Sequence, residues 1–146
     1  MQEQEIYQKI GELLWSIMVD DADTIYCEGF MYPEIDSYSF EWITKQNKIA
    51  WFEMNEIPHE AGQNVISLME ELRSLDFFVE KWTHFKISLT EQGNIDFKFA
   101  YIPKNDYWPG LFMRGVSELN KDELDEYNIP FEEWETCIKL REQDKE

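Results

Sequence analysis

Four side chains of this 146-residue chain are of the kinds that most often do acid–base or nucleophilic work: His59, His84, Cys27 and Cys137. A histidine base needs a nucleophile within hydrogen-bond reach and a third group to orient it, and neither histidine has such neighbours in sequence. No G-x-S-x-G, phosphate-loop or dinucleotide-binding glycine pattern is present, and neither cysteine stands in a context that activates a thiolate. The two cysteines lie far apart in no metal-like spacing, which suits a reduced intracellular chain, with a single disulfide as the alternative. Asp20, Asp21 and Asp23 could gather a hard cation. A calcium loop also needs a turn glycine and a distal bidentate glutamate at set spacing, so the trio reads as a solvated helix terminus. The chemistry-bearing residues thus predict no enzyme, no metal site and no cofactor.

The acids carry more information. Thirty-one Asp and Glu stand against thirteen Lys and Arg, a formal charge of −18. A field of that sign repels nucleic acid and anionic membrane and draws in basic partners. One cluster is Asp20 to Asp23, Glu28, Glu34, Asp36 and Glu41. A second lies from Glu118 onward, with eleven acids against four bases. Two uses fit: steering a basic protein into a complex, and covering a cationic nucleic-acid groove with carboxylates set where phosphates would sit. Candidate contact residues are Glu28, Glu34, Asp36 and Glu41, with Asp106, Tyr107 and Trp108 as a partly exposed loop patch whose aromatics could anchor an interface.

The elements that must position these residues follow from periodicity. At 43% hydrophobic and 16% aromatic the chain is too rich in core formers to be a disordered acidic tail. Its length suits one domain, with a core over about 1–108 and an acidic helical tail over about 109–146. The start of the chain shows no basic-then-apolar leader, and no window is apolar enough to span a bilayer, so a soluble cytoplasmic protein is expected.

Ile6, Ile10, Leu13, Leu14 and Ile17 recur at helical spacing and predict an amphipathic helix over 3–19, with Gly11 inside it marking a close contact with a sheet. The acidic run from Asp20 to Asp23 ends it. Three strands follow, Thr24–Tyr32, Ser37–Thr44 and Lys48–Met54, separated by turns at Pro33 to Asp36 and Lys45 to Asn47. Pro58 suits the first position of a second helix whose stripe of Ala61, Val65, Leu68, Met69, Leu72 and Leu75 ends near Asp76. Trp82 to Tyr101 reads as a β-hairpin, with Phe85, Ile87, Leu89, Ile95, Phe97, Phe99 and Tyr101 on its apolar face and Glu91 to Asn94 as the turn. A helix between a three-strand meander and a hairpin indicates an α+β fold with an antiparallel sheet of about five strands. In the tail, Phe131, Trp134 and Ile138 recur at helical spacing and predict a helix docked by one face.

Glu70-Glu71-Leu72-Arg73 at a helix end, Trp82-Thr83 before a strand, and the T-E-Q-G-N-I-D-F-K-F-A-Y hairpin of Thr90 to Tyr101 together resemble the YezG-like immunity or antitoxin family. The likeness covers most of residues 1–108 and fades beyond. It implies an intracellular immunity protein that binds a co-encoded bacterial toxin, commonly a nuclease domain, and inhibits it stoichiometrically. The shared residues look fold-determining, so no functional residue is carried over. The combined expectation is a non-enzymatic protein that occludes the basic substrate groove of a toxin without touching nucleic acid or membrane. The alternatives are a cytoplasmic adaptor or chaperone-like protein for a secreted effector, and a hydrolase built on His84 or His59.

Overall fold

The computed structural model describes residues 2–75 and 82–144. It has an N-terminal helix, a five-stranded antiparallel sheet and a C-terminal helix, the expected α+β class. The chain forms two compact units, 1–99 and 100–146.

In the first unit, helix α1 (Glu3–Ile17) buries Ile6, Ile10 and Leu14, one side of the predicted stripe. Glu3 and Glu5 in its first turn offset the positive end of the helix dipole. Gly11 lies against the sheet as expected, since an added methyl would meet Ile95 Cδ1 at 3.4 Å. The acidic run after α1 does not simply cap the helix. Strand β1 (Ala22–Met31) already begins inside it, and the carbonyls of Asp21 and Asp23 accept hydrogen bonds from the amides of Lys45 and Glu91. Those residues are recruited by the sheet, a long-range pairing that the local polarity concealed.

Strands β2 (Asp36–Thr44), β3 (Ile49–Trp51), β4 (His84–Thr90) and β5 (Ile95–Ala100) complete a sheet in the order β3-β2-β1-β4-β5. Strand β3 is shorter than the expected Lys48–Met54, because a 3-10 turn takes Met54–Glu56. Helix α2 (His59–Arg73) carries the chain from the β3 edge back to β4 beside β1. It starts after Pro58, which is its N-cap residue, and ends at Arg73 instead of near Asp76, with Ser74 donating back to the last turn. Asp76 itself lies outside the described residues.

The β2–β3 and β4–β5 hairpins close with the same device. Thr44 N–H donates to Lys48 O at 2.8 Å and Asn47 N–H to Thr44 O, while Thr90 N–H donates to Asn94 O at 2.9 Å and Gly93 N–H to Thr90 O. Each is a three-residue loop whose last residue needs a left-handed backbone, supplied by Asn47 (φ 63°) and Gly93 (φ 89°). The threonine hydroxyl accepts from the amide that reopens the strand, Lys48 or Asn94, at 3.1 Å in both. The two loops are joined by an ion pair of 3.5 Å between Lys45 and Glu91.

Period two then sorts the faces. Ile25, Cys27, Phe40, Phe85, Ile87 and Leu89 face α1 and α2 and bury with Val65, Met69 and Leu72. Two glycines permit this packing: a methyl on Gly29 would collide with the Phe85 ring, and one on Gly62 would land inside the Tyr38 ring. Phe97 stacks on Tyr7 of α1 (4.5 Å) and Phe99 on Trp82 (5.1 Å). Tyr101 falls beyond β5 and is mostly exposed. Arg73 ties the end of α2 to the sheet, donating to the carbonyls of Met31 (3.0 Å) and Trp82 (3.3 Å) and covering the Trp82 ring.

The second unit is built from 3-10 turns at Lys104–Asp106, Val116–Glu118 and Lys121–Glu123 and from helix α3 (Phe131–Asp144). Leu111, Val116, Leu119, Leu124, Ile129 and Cys137 form its own small core. Helix α3 docks by one face as expected, through Trp134, whose indole donates to Leu119 O at 3.0 Å, and through Cys137, which lies outside the expected stripe. Phe131, expected on that face, is exposed.

Candidate functional site

The two described helices of residues 1–99 pack on the core side of the sheet, so Tyr26, Glu28, Ser39, Glu41, Lys86 and Ser88 share its other side. The register fixes who meets whom there. Tyr26 pairs with Glu41 and Ser88, Glu28 with Ser39 and Lys86, and Glu41 with Trp51. Glu28 and Glu41 are therefore diagonal neighbours, near enough for their side chains to interact.

That proximity perturbs Glu28. Burial raises its carboxyl above the ordinary carboxylate range, the Glu41 carboxylate raises it further, and Lys86 offsets part of the rise. Lys86 makes a 3.4 Å ion pair with Glu28 and lies 4.6 Å from the centroid of the Tyr26 ring. One lysine thus serves the Glu28 carboxylate and an aromatic face. An additional cation would find a favourable place between Glu28 and Glu41.

The other candidates fall elsewhere. Glu34 is exposed in the β1–β2 turn and Asp36 is the exposed first residue of β2, five residues from Glu41. At about 3.3 Å per residue, Asp36 and Glu41 are about 17 Å apart, and their odd spacing puts them on opposite faces of β2, so Asp36 does not join the pair. Asp106, expected as part of an exposed patch, is turned into its own unit. One carboxylate oxygen accepts from Ser117 N–H at 2.8 Å and the other from Ser117 Oγ–H at 2.7 Å. Trp108 is likewise occupied: its indole donates to Tyr127 O at 3.1 Å and packs on the small core. Tyr107 between them is half-buried.

Residues that the sequence reading did not single out are Tyr26, Lys86, Ile49, Trp51 and Met54. Tyr26 shares the parity of Glu28 and could have been placed with it. For Ile49, Trp51 and Met54 the signal was misleading, since apolar residues in a strand are normally taken for core. Here they are 64%, 69% and 88% exposed.

Of the reactive side chains, His84 shares the parity of Lys86 and so takes the same side of the sheet. His84 is 1% exposed, flanked by the rings of Phe30 (5.6 Å) and Tyr32 (5.9 Å), with Thr83 Oγ1 at 2.9 Å from Nδ1. Burial lowers its pKa to about 4. It is a neutral imidazole at pH 7. His59 at the start of α2 is exposed and bonds through Nδ1 to the Tyr38 hydroxyl at 2.6 Å. Burial pushes the Cys27 thiol up strongly. Burial, then the Asp106 carboxylate and Glu133, push Cys137 up to about 11. Among the described residues no three His, Cys, Asp or Glu side chains gather in a group that could hold a metal ion. Nor is any described helix long and apolar enough to cross a membrane.

Comparison with protein-family models and with curated protein sequences gives no match to this chain.

Proposed function

We propose that this protein is an immunity protein or antitoxin that binds a cognate bacterial toxin, a basic nuclease domain, and neutralises it by covering its substrate groove. The observation that carries this reading is the state of Glu28. Glu28 and Glu41 lie side by side on one face of the sheet with Lys86 paired to Glu28, in a molecule of charge −18. A cationic side chain from a partner would relieve the repulsion between them, and a nuclease groove is lined with such side chains because it must hold phosphates. Glu34 and Asp36 broaden the attraction and raise the encounter rate. The proposed mechanism is occlusion by a rigid body, with no reactive centre of the protein's own and no cofactor.

The test is coexpression with the toxin-like domain encoded beside this protein, followed by inhibition of the purified toxin. Neutralisation predicts survival of the cell and loss of nuclease activity at a one-to-one ratio. Reversing Glu28, Glu34, Asp36 and Glu41 to lysine should slow association by about tenfold or more at low salt and flatten its salt dependence. An uninhibited toxin would refute the reading. Unchanged affinity and salt dependence after the full set of reversals would refute its electrostatic part. A partner whose export changes while its toxicity does not would identify an adaptor instead.

A further inference from the structure

Strand β3 is an edge of the sheet, and the hairpin bonding fixes which of its main-chain groups look outward. Thr44 and Lys48 form a hydrogen-bonded pair at the turn. Antiparallel pairs alternate between bonded and non-bonded, so in the register Ile43–Ile49, Trp42–Ala50, Glu41–Trp51 the next bonded pair is Trp42–Ala50. The N–H and C=O groups of Ile49 and Trp51 therefore point away from β2, to the free edge. The same two residues carry the exposed apolar side chains, at 64% and 69%, and Met54 follows at 88%. Edge strands are normally guarded by proline, inward charge or a covering segment. Ile49-Ala50-Trp51 carries neither proline nor charge, and among the described residues no strand pairs with it on that side.

We propose that the β3 edge is a strand-addition site for an extended basic segment of the partner protein, whose main chain pairs with Ile49 and Trp51. The proposal deepens the reading above and rests on it for the partner's charge. Charge selects this occupant. Glu41 sits opposite Trp51 on β2, and Glu53 and Glu56 follow β3 directly. A second copy of the chain would bring the same carboxylates and another net charge of −18 against them. A basic residue on an added strand opposite Trp51 could lie on the indole face, a favourable cation–π arrangement. It would be about 10 Å, two strand spacings, from Glu41, inside the range of its field. Alternation would then put the segment's next side chains over the other face, so a segment alternating basic and β-branched residues fits best.

The test uses an end-blocked peptide Arg-Val-Arg-Val-Arg-Val-Arg and its glutamate counterpart, with amide exchange of the full chain followed by NMR at low salt. At about 1 mM arginine peptide, exchange of the Ile49 and Trp51 amides should slow about threefold, as a dissociation constant of about 0.5 mM gives. The glutamate peptide should leave both unchanged. Trp51→Pro, which removes one outward N–H at an edge position that tolerates proline, should lose the effect, and Trp51→Phe should keep it. No slowing at Ile49 and Trp51, slowing confined to other amides, or protection that grows with the chain's own concentration would overturn the proposal, the last in favour of self-pairing. The two readings also separate. Full neutralisation of the toxin by Ile49→Lys and Trp51→Pro variants removes the edge and leaves the immunity function, whereas peptide pairing without a neutralised toxin does the reverse.

Discussion

His84 offers a direct measure of how the tertiary structure acts on one side chain. Its ordinary pKa of 6.5 is lowered to about 4 by burial. The unfolded chain therefore takes up a proton between those values that the folded chain refuses, and stability is lost as pH falls through that window. A difference of 2.5 units corresponds to about 3 kcal/mol in full, of which about 2 kcal/mol falls between pH 7 and pH 5. The group is 1% exposed, so screening by water takes little from that figure. The comparison is wild type against His84→Asn, whose amide oxygen can stand in for Nδ1 facing Thr83 but cannot titrate. Urea unfolding at pH 7, 6 and 5 gives each slope, and subtracting the two removes the shared response of the 31 acids. The wild type should lose about 2 kcal/mol more than the variant over this range. Equal slopes, or an NMR titration placing the folded-state imidazole above pH 6, would refute the assignment of His84 as a buried neutral ring.

Three further outcomes follow from particular contacts. Gly62→Ala should cost about 1–3 kcal/mol in urea unfolding, because its methyl would occupy the Tyr38 ring, and Tyr38→Ala in the same chain should remove most of the added cost of the alanine. Glu41→Gln should raise stability slightly at pH 7, by about 0.2–1 kcal/mol, and weaken binding of a basic partner. Its stabilising effect should vanish as pH falls below the carboxylate range, because Glu28, whose carboxyl is raised, contributes least to stability when ionised. Asp106→Ala strips both acceptors from the buried Ser117 and should destabilise the second unit by about 1–3 kcal/mol. Reaction of Cys137 with a thiol reagent should accelerate in that variant, while Cys27 stays slow.

What the amino-acid order alone determined is local. The helical stripe of Ile6, Ile10 and Leu14, the period two of Phe85, Ile87 and Leu89, and the Thr90 to Asn94 turn each record a preference within a few residues, so the α+β class was legible. The acids Glu28 and Glu41 were also legible as charge. Their adjacency was not, because it depends on which strands become neighbours and in what register, and the crossover through α2 that sets the order β3-β2-β1-β4-β5 is a long-range choice. The same holds for Trp51, apolar by sequence and exposed because its strand ended at an edge, and for Asp106, acidic by sequence and consumed by Ser117. Periodicity says which side of a strand a residue takes. Only the packed sheet says what that side meets, since a side chain's environment is made by segments distant in the chain.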